Sequence, residues 1–327
     1  MENSKVKRGA FNLLSISTSV IAVVLVFNVF VQSSPADNIE EEIKEGDFFD
    51  NFKERYSIYA LPMPDSLYFA GERVPLERTY VRESFDRELL VNTYWQSQTL
   101  LLIKRANRYF PVIEPILEDN DLPDDFKYLA LIESGFMERV ISPAGAVGIW
   151  QFLTGTARDY GLVVNNQVDE RYHLEKSTVA AADYLKDSYE RYDSWTMSAA
   201  AYNAGRRGMN RQIDRQKSDC YYELLLNEET SRYIFRILAI KEILNDPQKY
   251  GFNLTEKDLY PVIPTYDMEI TETIDDIADF AQEHGATYKE VKDLNPWLRT
   301  TSLTVASGEK YIIKMPKEDA FKVNEKK

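Results

Sequence analysis

The chain has 327 residues, with 53 acidic against 39 basic side chains and a formal charge of −14, a length that suits about two domains, one of them able to bury a full core. The negative balance argues against nucleic acid as a partner, because phosphate binding needs a basic face to displace counterions. A single cysteine, Cys220, excludes an intramolecular disulfide, and two distant histidines, His173 and His284, with no cysteine cluster supply no ligand set, so neither a metal nor a cofactor is expected.

From the N-terminus, residues 11–32 form an apolar run behind Lys5, Lys7 and Arg8. Its length is near the ~20 residues of a bilayer-crossing helix, and the basic flank places the chain beyond residue 33 outside the cytoplasm. Ser34-Pro35-Ala36 leaves cleavage as a signal peptide open, so residues 1–37 read as anchor or signal. Residues 38–84 read as an acidic linker and then an irregular, proline-containing segment packed across the next domain. Helical spacing of Leu89, Leu90, Tyr94, Leu100, Leu101, Ile103 and Ala106 predicts a long helix from Arg87 to Tyr109. Further helices are predicted over 111–119, 123–134, 152–159, 177–191, 195–204 and 229–245, with little strand signal, which gives an all-α domain over 85–255.

The helix over 123–134 opens at Asp121-Leu122-Pro123 and stops at Gly135. Glu133 therefore lies at its C-terminal end, where the helix dipole is negative and Phe126, Leu129, Ala130 and Ile132 supply an apolar setting. Both effects disfavour a further negative charge and raise the carboxyl's pKa, as a proton donor working near neutral pH requires. A glutamate in a last helical turn is, taken alone, an ordinary surface residue.

Context changes that reading. Ala130-Leu-Ile-Glu133-Ser134-Gly135-Phe136, then Ser142-Pro-Ala-Gly-Ala-Val-Gly148-Ile-Trp150-Gln151-Phe152, then Ala200-Ala201-Tyr202-Asn203-Ala204-Gly205 resemble, in this order, the three motif blocks of the lytic transglycosylase family of the lysozyme superfamily. In the second block Ile149 and Trp150 stand where the family has Leu-Met. Glu229-Thr230-Ser231-Arg232-Tyr233, with the run to Leu244, resembles the D-type membrane-bound branch of that family, and the resemblance covers about residues 75–250. It implies a goose-type, lysozyme-like fold and cleavage of peptidoglycan glycan strands by one acid/base, Glu133, with the muramic acid's own hydroxyl as nucleophile and an anhydro ring as product. No second acid lies in the motif blocks; Asp159 and Asp169, the nearest downstream, read as ordinary helix or loop charges.

The resemblance further implies substrate-binding roles for Ser134, Gln151, Tyr202, Asn203, Glu229 and Tyr233. Trp150 either lines the sugar groove by stacking or fills core. Residues 265–317 resemble a diverged LysM module, strand, two helices and strand, with Thr287–Asn295 as the second helix. Such modules bind N-acetylglucosamine polymers, which implies that this one holds the enzyme on its substrate, although Thr271-Glu272 replaces the usual Gly-Asp. The expected protein is thus mainly α, a lysozyme-like all-α catalytic domain followed by a small α+β module, acting on glycan strands at the periplasmic side of the cell envelope and joined to the membrane by its N-terminal segment. Two alternatives are a lysozyme-type hydrolase on the same fold and an inactive peptidoglycan-binding scaffold.

Overall fold

Apolar residues at helical spacing dominate the sequence up to about residue 245, and helices packed on helices are the result. The computed structural model describes residues 58–322; the apolar run 11–32 lies outside the described residues. Two short strands, β1 (Tyr68–Phe69) and β2 (Glu72–Arg73), pair antiparallel around Ala70 and Gly71, both at positive φ. This hairpin places Leu67, Phe69 and Val74 in the helical core. Its Glu72 carboxylate accepts the N–H groups of Trp195 (2.5 Å) and Thr196 (2.9 Å), satisfying free donors at the start of a distant helix.

The helical unit comprises α1 (Thr79–Tyr94), α2 (Gln96–Asp119), α3 (Phe126–Ser134), α4 (Thr154–Asp159), α5 (Leu174–Tyr192), α6 (Trp195–Ala204), α7 (Arg206–Gln216) and α8 (Glu228–Asn245). The helix predicted over 87–109 is divided instead at Trp95 (φ −91°, ψ 59°). The second part then runs without a break through the boundary predicted between Tyr109 and Pro111, and past Pro115, to Asp119. An interior proline costs about 3 kcal/mol. Leu102, Ile103, Ala106, Tyr109, Ile113 and Leu117 are buried on one stripe across the prolines, and at about 1.5–3 kcal/mol per large side chain that burial outweighs the cost. Helix α7 is not predicted by apolar spacing, because its sequence is almost wholly polar and buries only Met209. Central to the core is α8, which packs against α1, α3 and α6 through Tyr233, Ile234, Ile237, Leu238 and Ile240.

After short 3₁₀ turns the chain enters β3 (Thr265–Ile270), α9 (Ile277–Glu283), α10 (Tyr288–Leu294) and β4 (Tyr311–Pro316), the predicted strand, helix, helix, strand. The strands pair antiparallel from Thr265↔Pro316 to Ile270↔Tyr311. Fully buried Asn295 locks the end of α10 to β4, donating from Nδ2 to the Val291 and Lys314 carbonyls and accepting the Lys314 N–H, each at 2.8 Å. The architecture is mainly α with a small α+β module at its C-terminal end.

Candidate active site

The catalytic candidate sits where α3 stops. Gly135 takes the left-handed conformation (φ 58°) that ends the helix, and its N–H bonds to the Leu131 carbonyl. Ser134 is 4 % exposed; its Oγ accepts the Phe136 N–H at 3.1 Å and donates to Ala130 O at 3.3 Å. Both bonds are local and shape the helix end.

Glu133 is half-buried, and α8 brings Tyr233 to it across one hundred residues of chain, the phenol donating to Oε1. Burial lifts the Glu133 carboxyl from its ordinary 4.5 to about 7. The Tyr233 hydrogen bond and the charge of Arg236 pull in the opposite direction, and the charge of Glu229 adds to the rise. A carboxyl balanced near 7 can release and regain a proton at neutral pH, the property a combined acid and base needs. Tyr233 itself is 1 % exposed and its hydroxyl is engaged with Glu133, which it holds in place. Tyr233→Phe should push the Glu133 carboxyl above about 7 by removing the bond that favours its ionised form. The basic limb of the pH–rate profile is expected to move upward, and an unmoved limb would remove Tyr233 from the proton chemistry.

On the other side, α6 carries Tyr202, whose hydroxyl donates to the Trp150 carbonyl at 2.7 Å. Burial drives the Tyr202 and Tyr233 phenols well above 10, and the Glu133 charge acts on both in the same direction, so both stay protonated donors. Trp150 is 0 % exposed and its indole N–H bonds to Thr178 Oγ1 at 2.8 Å. A fully enclosed indole cannot stack on a sugar. Of the two readings left open, Trp150 is core.

Gln151 stands in the loop between Ser142 and Phe152 with φ 51°, and its Nε2 donates to Gly148 O at 2.8 Å, which leaves the side-chain oxygen as its remaining acceptor. Asn203 donates to Glu229 Oε1 at 3.2 Å and accepts from Thr230 Oγ1 at 2.8 Å, tying the end of α6 to the first turn of α8. Asp169 is buried and ion-paired with Arg171 at 2.7 Å, which removes it as a free acid. Among the described residues no group of three His, Cys, Asp or Glu side chains converges to hold a metal. Arg236 was missed by the sequence reading. It lines a hollow of about 570 Å³ beside the α3 terminus, together with Ile132, Gly135, Glu229, Arg232 and Trp95. The signal was present, because Glu229, Tyr233 and Arg236 follow one another at helical spacing along one face of α8.

The chain is thus a helical domain with a half-buried, tyrosine-held glutamate at a helix end, followed by a small module with two strands. Residues 111–224 match the family described as transglycosylase SLT domain, and residues 266–319 match the soluble lytic transglycosylase C-terminal LysM-like domain. The chain thus carries an SLT domain with a LysM-like domain behind it, and it is homologous to membrane-bound lytic murein transglycosylase D. With that protein from Escherichia coli K12, and with its counterpart in strain O6:H1, it is 28% identical over 272 residues, which are 81% of this chain and 58% of theirs. The chain therefore spans little more than half the length of these relatives. Among solved structures, the 70 kDa soluble lytic transglycosylase SLT70 of Escherichia coli aligns with 18% identity and a TM-score of 0.39, over 54% of this chain and 31% of that one.

Proposed function

We propose that this protein is a peptidoglycan lytic transglycosylase that cleaves the MurNAc–GlcNAc bond with Glu133 as its single acid/base. Protonated Glu133 gives its proton to the glycosidic oxygen as the bond from the anomeric carbon to that oxygen breaks. The primary hydroxyl of the same muramoyl residue then attacks the anomeric carbon and returns its proton to Glu133, closing an anhydro ring without consuming water. One observation carries this reading: a carboxyl held near pKa 7 by burial and gripped by a buried tyrosine can hold its proton, release it and take it back at neutral pH. Gln151, through its free acceptor, Tyr202, Asn203 and Glu229 are the groups proposed to border the glycan. Location on the outer side of the cell membrane, with the membrane reached through residues 11–32, follows from the same reading and from the basic flank of that run.

Mass spectrometry of the muropeptides released from purified sacculi by residues 38–327 tests the reaction. Anhydromuramic ends are expected, and they should vanish with Glu133→Gln. Reducing ends would make the protein a hydrolase on this fold, and no release by the parent chain would favour the scaffold.

A further inference from the structure

The resemblance treats the C-terminal module as a tether, but its contacts build it into the helical unit. The Asp169 N–H bonds to the Trp297 carbonyl at 3.0 Å and the Arg299 N–H to the Gln167 carbonyl at 2.8 Å, while Val168 and Leu298 pair as an isolated bridge. The Trp297 indole stacks on His173 (centroids 5.8 Å, planes 25° apart), and the Arg299 guanidinium lies 4.3 Å over the Tyr172 ring. Val147, Val168 and Tyr172 from the helical unit are buried in the module's own apolar cluster with Ile277, Leu298 and Ile313. Ion pairs Lys314–Glu175 (2.9 Å) and Arg139–Asp293 (3.0 Å) also join the two parts.

The segment gripped by the module is the one that grips the Gln151 loop. Asp169, whose N–H the module holds, accepts from Arg171 Nε at 2.9 Å and Nη2 at 2.7 Å. Arg171 Nη1 in turn donates to the carbonyls of Gly145 and Phe152, each at 3.3 Å, which lie near the start and at the end of that loop. Between them the Arg171 carbonyl fills the space over Gly148 that a side chain would need. From the same loop the Trp150 carbonyl receives the Tyr202 hydroxyl. Both members of the Asp169–Arg171 pair are buried, so the guanidinium is held chiefly by these protein partners and its placement is coupled to that of Asp169.

We infer that the module is a working part of the active site: docked through Trp297 and Leu298, it holds the Asp169–Arg171 clamp and through it the loop bearing Gln151. Cleavage then depends on docking even for fragments too short to reach the module. The inference rests on the proposed glycan cleavage, and Arg171 and Leu298 are positioning residues in it.

The full chain is compared with Leu298→Asp, which sets a carboxylate against Val168, and with the pair Arg171→Met and Arg171→Lys, which leave the module untouched. Short soluble glycan fragments give kcat and KM, and hydrogen exchange reads the amides of 143–152 against those of α8. Leu298→Asp and Arg171→Met should each lower kcat by about tenfold or more with KM changed by less than about twofold. They should speed exchange in 143–152 while α8 stays protected, and Arg171→Lys should recover part of the rate. Unchanged exchange in 143–152 with full kcat on fragments, and loss only of sedimentation with sacculi, would overturn the inference and restore the tether. If Leu298→Asp also loses α8 protection it has unfolded, and the Arg171 pair decides: an unaltered loop in Arg171→Met overturns the proposal. If the parent chain cleaves no glycan, the proposed reaction fails, yet the exchange comparison still reports whether docking orders the loop.

Discussion

Glu133→Gln is expected to lower turnover by about a thousandfold or more and, at neutral pH, to make the protein more stable than the parent. The amide keeps the carboxyl's shape and can still accept the Tyr233 hydrogen bond, but it has no proton to give, and removal of a general acid commonly costs about 10²–10⁴-fold. Stability moves the other way because the parent buries a carboxyl whose charged form its surroundings disfavour. Below about pH 4.5 the group is protonated in the folded and unfolded chains alike and costs nothing. As pH rises from there to about 7 the unfolded chain ionises first, and above about 7 the fold carries the full cost of the charge. That cost is about 1–3 kcal/mol after allowance for the partial exposure of the group. Thermal unfolding of parent and variant at pH 4 and pH 8 checks the sign: the variant should gain at pH 8 and gain little at pH 4. In the parent, the rate should fall as pH rises through about 7, because the proton donor is then lost. A variant with near-parental turnover would end the assignment of Glu133.

Gly148→Ala is expected to be the most damaging single methyl group in the motif blocks. At φ 79° the residue is in the left-handed region, and the added Cβ would lie 2.1 Å from the Arg171 carbonyl oxygen and 3.0 Å from its carbon. Both opposing atoms are backbone in a segment held by the buried Asp169–Arg171 pair, so neither can swing aside as a side chain would. The left-handed conformation alone costs about 1–2 kcal/mol for a residue with a Cβ, and the forced displacement brings the total to about 3–5 kcal/mol. In a unit of this size that corresponds to a fall in Tm of about 10 °C, and the displaced loop should carry Gln151 with it and depress turnover. Gly155→Ala is the control, because nothing lies within 4 Å of its added Cβ and it sits in α4. Its Tm should hold or rise slightly. Equal behaviour of the two variants would show that the approach at Gly148 is not rigid.

Local signals in the chain were sufficient for much of this. Proline before α3 and glycine after it place Glu133 at a helix terminus, since caps and breakers act within a turn of themselves. Apolar content located α3, α5, α6 and α8 to within a few residues, although α6 buries the consecutive run Thr196–Ala201 and not a single stripe. The strand, helix, helix, strand order of the module came instead from its resemblance to a LysM module. Where the local signal misled, longer-range burial had overruled it: α2 runs through two prolines because its buried stripe continues beyond them, and α7 forms with almost no stripe at all.

The chemistry proposed for the site depends on closure of the chain. A glutamate's pKa depends on what surrounds it, and Tyr233, Arg236 and Glu229 reach Glu133 only when α8 crosses α3. Trp150 and Ser134 belong to the same motifs as the groups proposed to meet substrate, yet packing turned one into the core and tied the other to its own helix. A motif fixes residue types and spacing, whereas the direction a side chain faces is decided by the elements packed against it. The same holds for the module, whose sequence speaks only of its own fold: that Trp297 and Leu298 complete a core shared with Val168 and Tyr172 is a property of two surfaces meeting, and it exists nowhere along the chain taken singly.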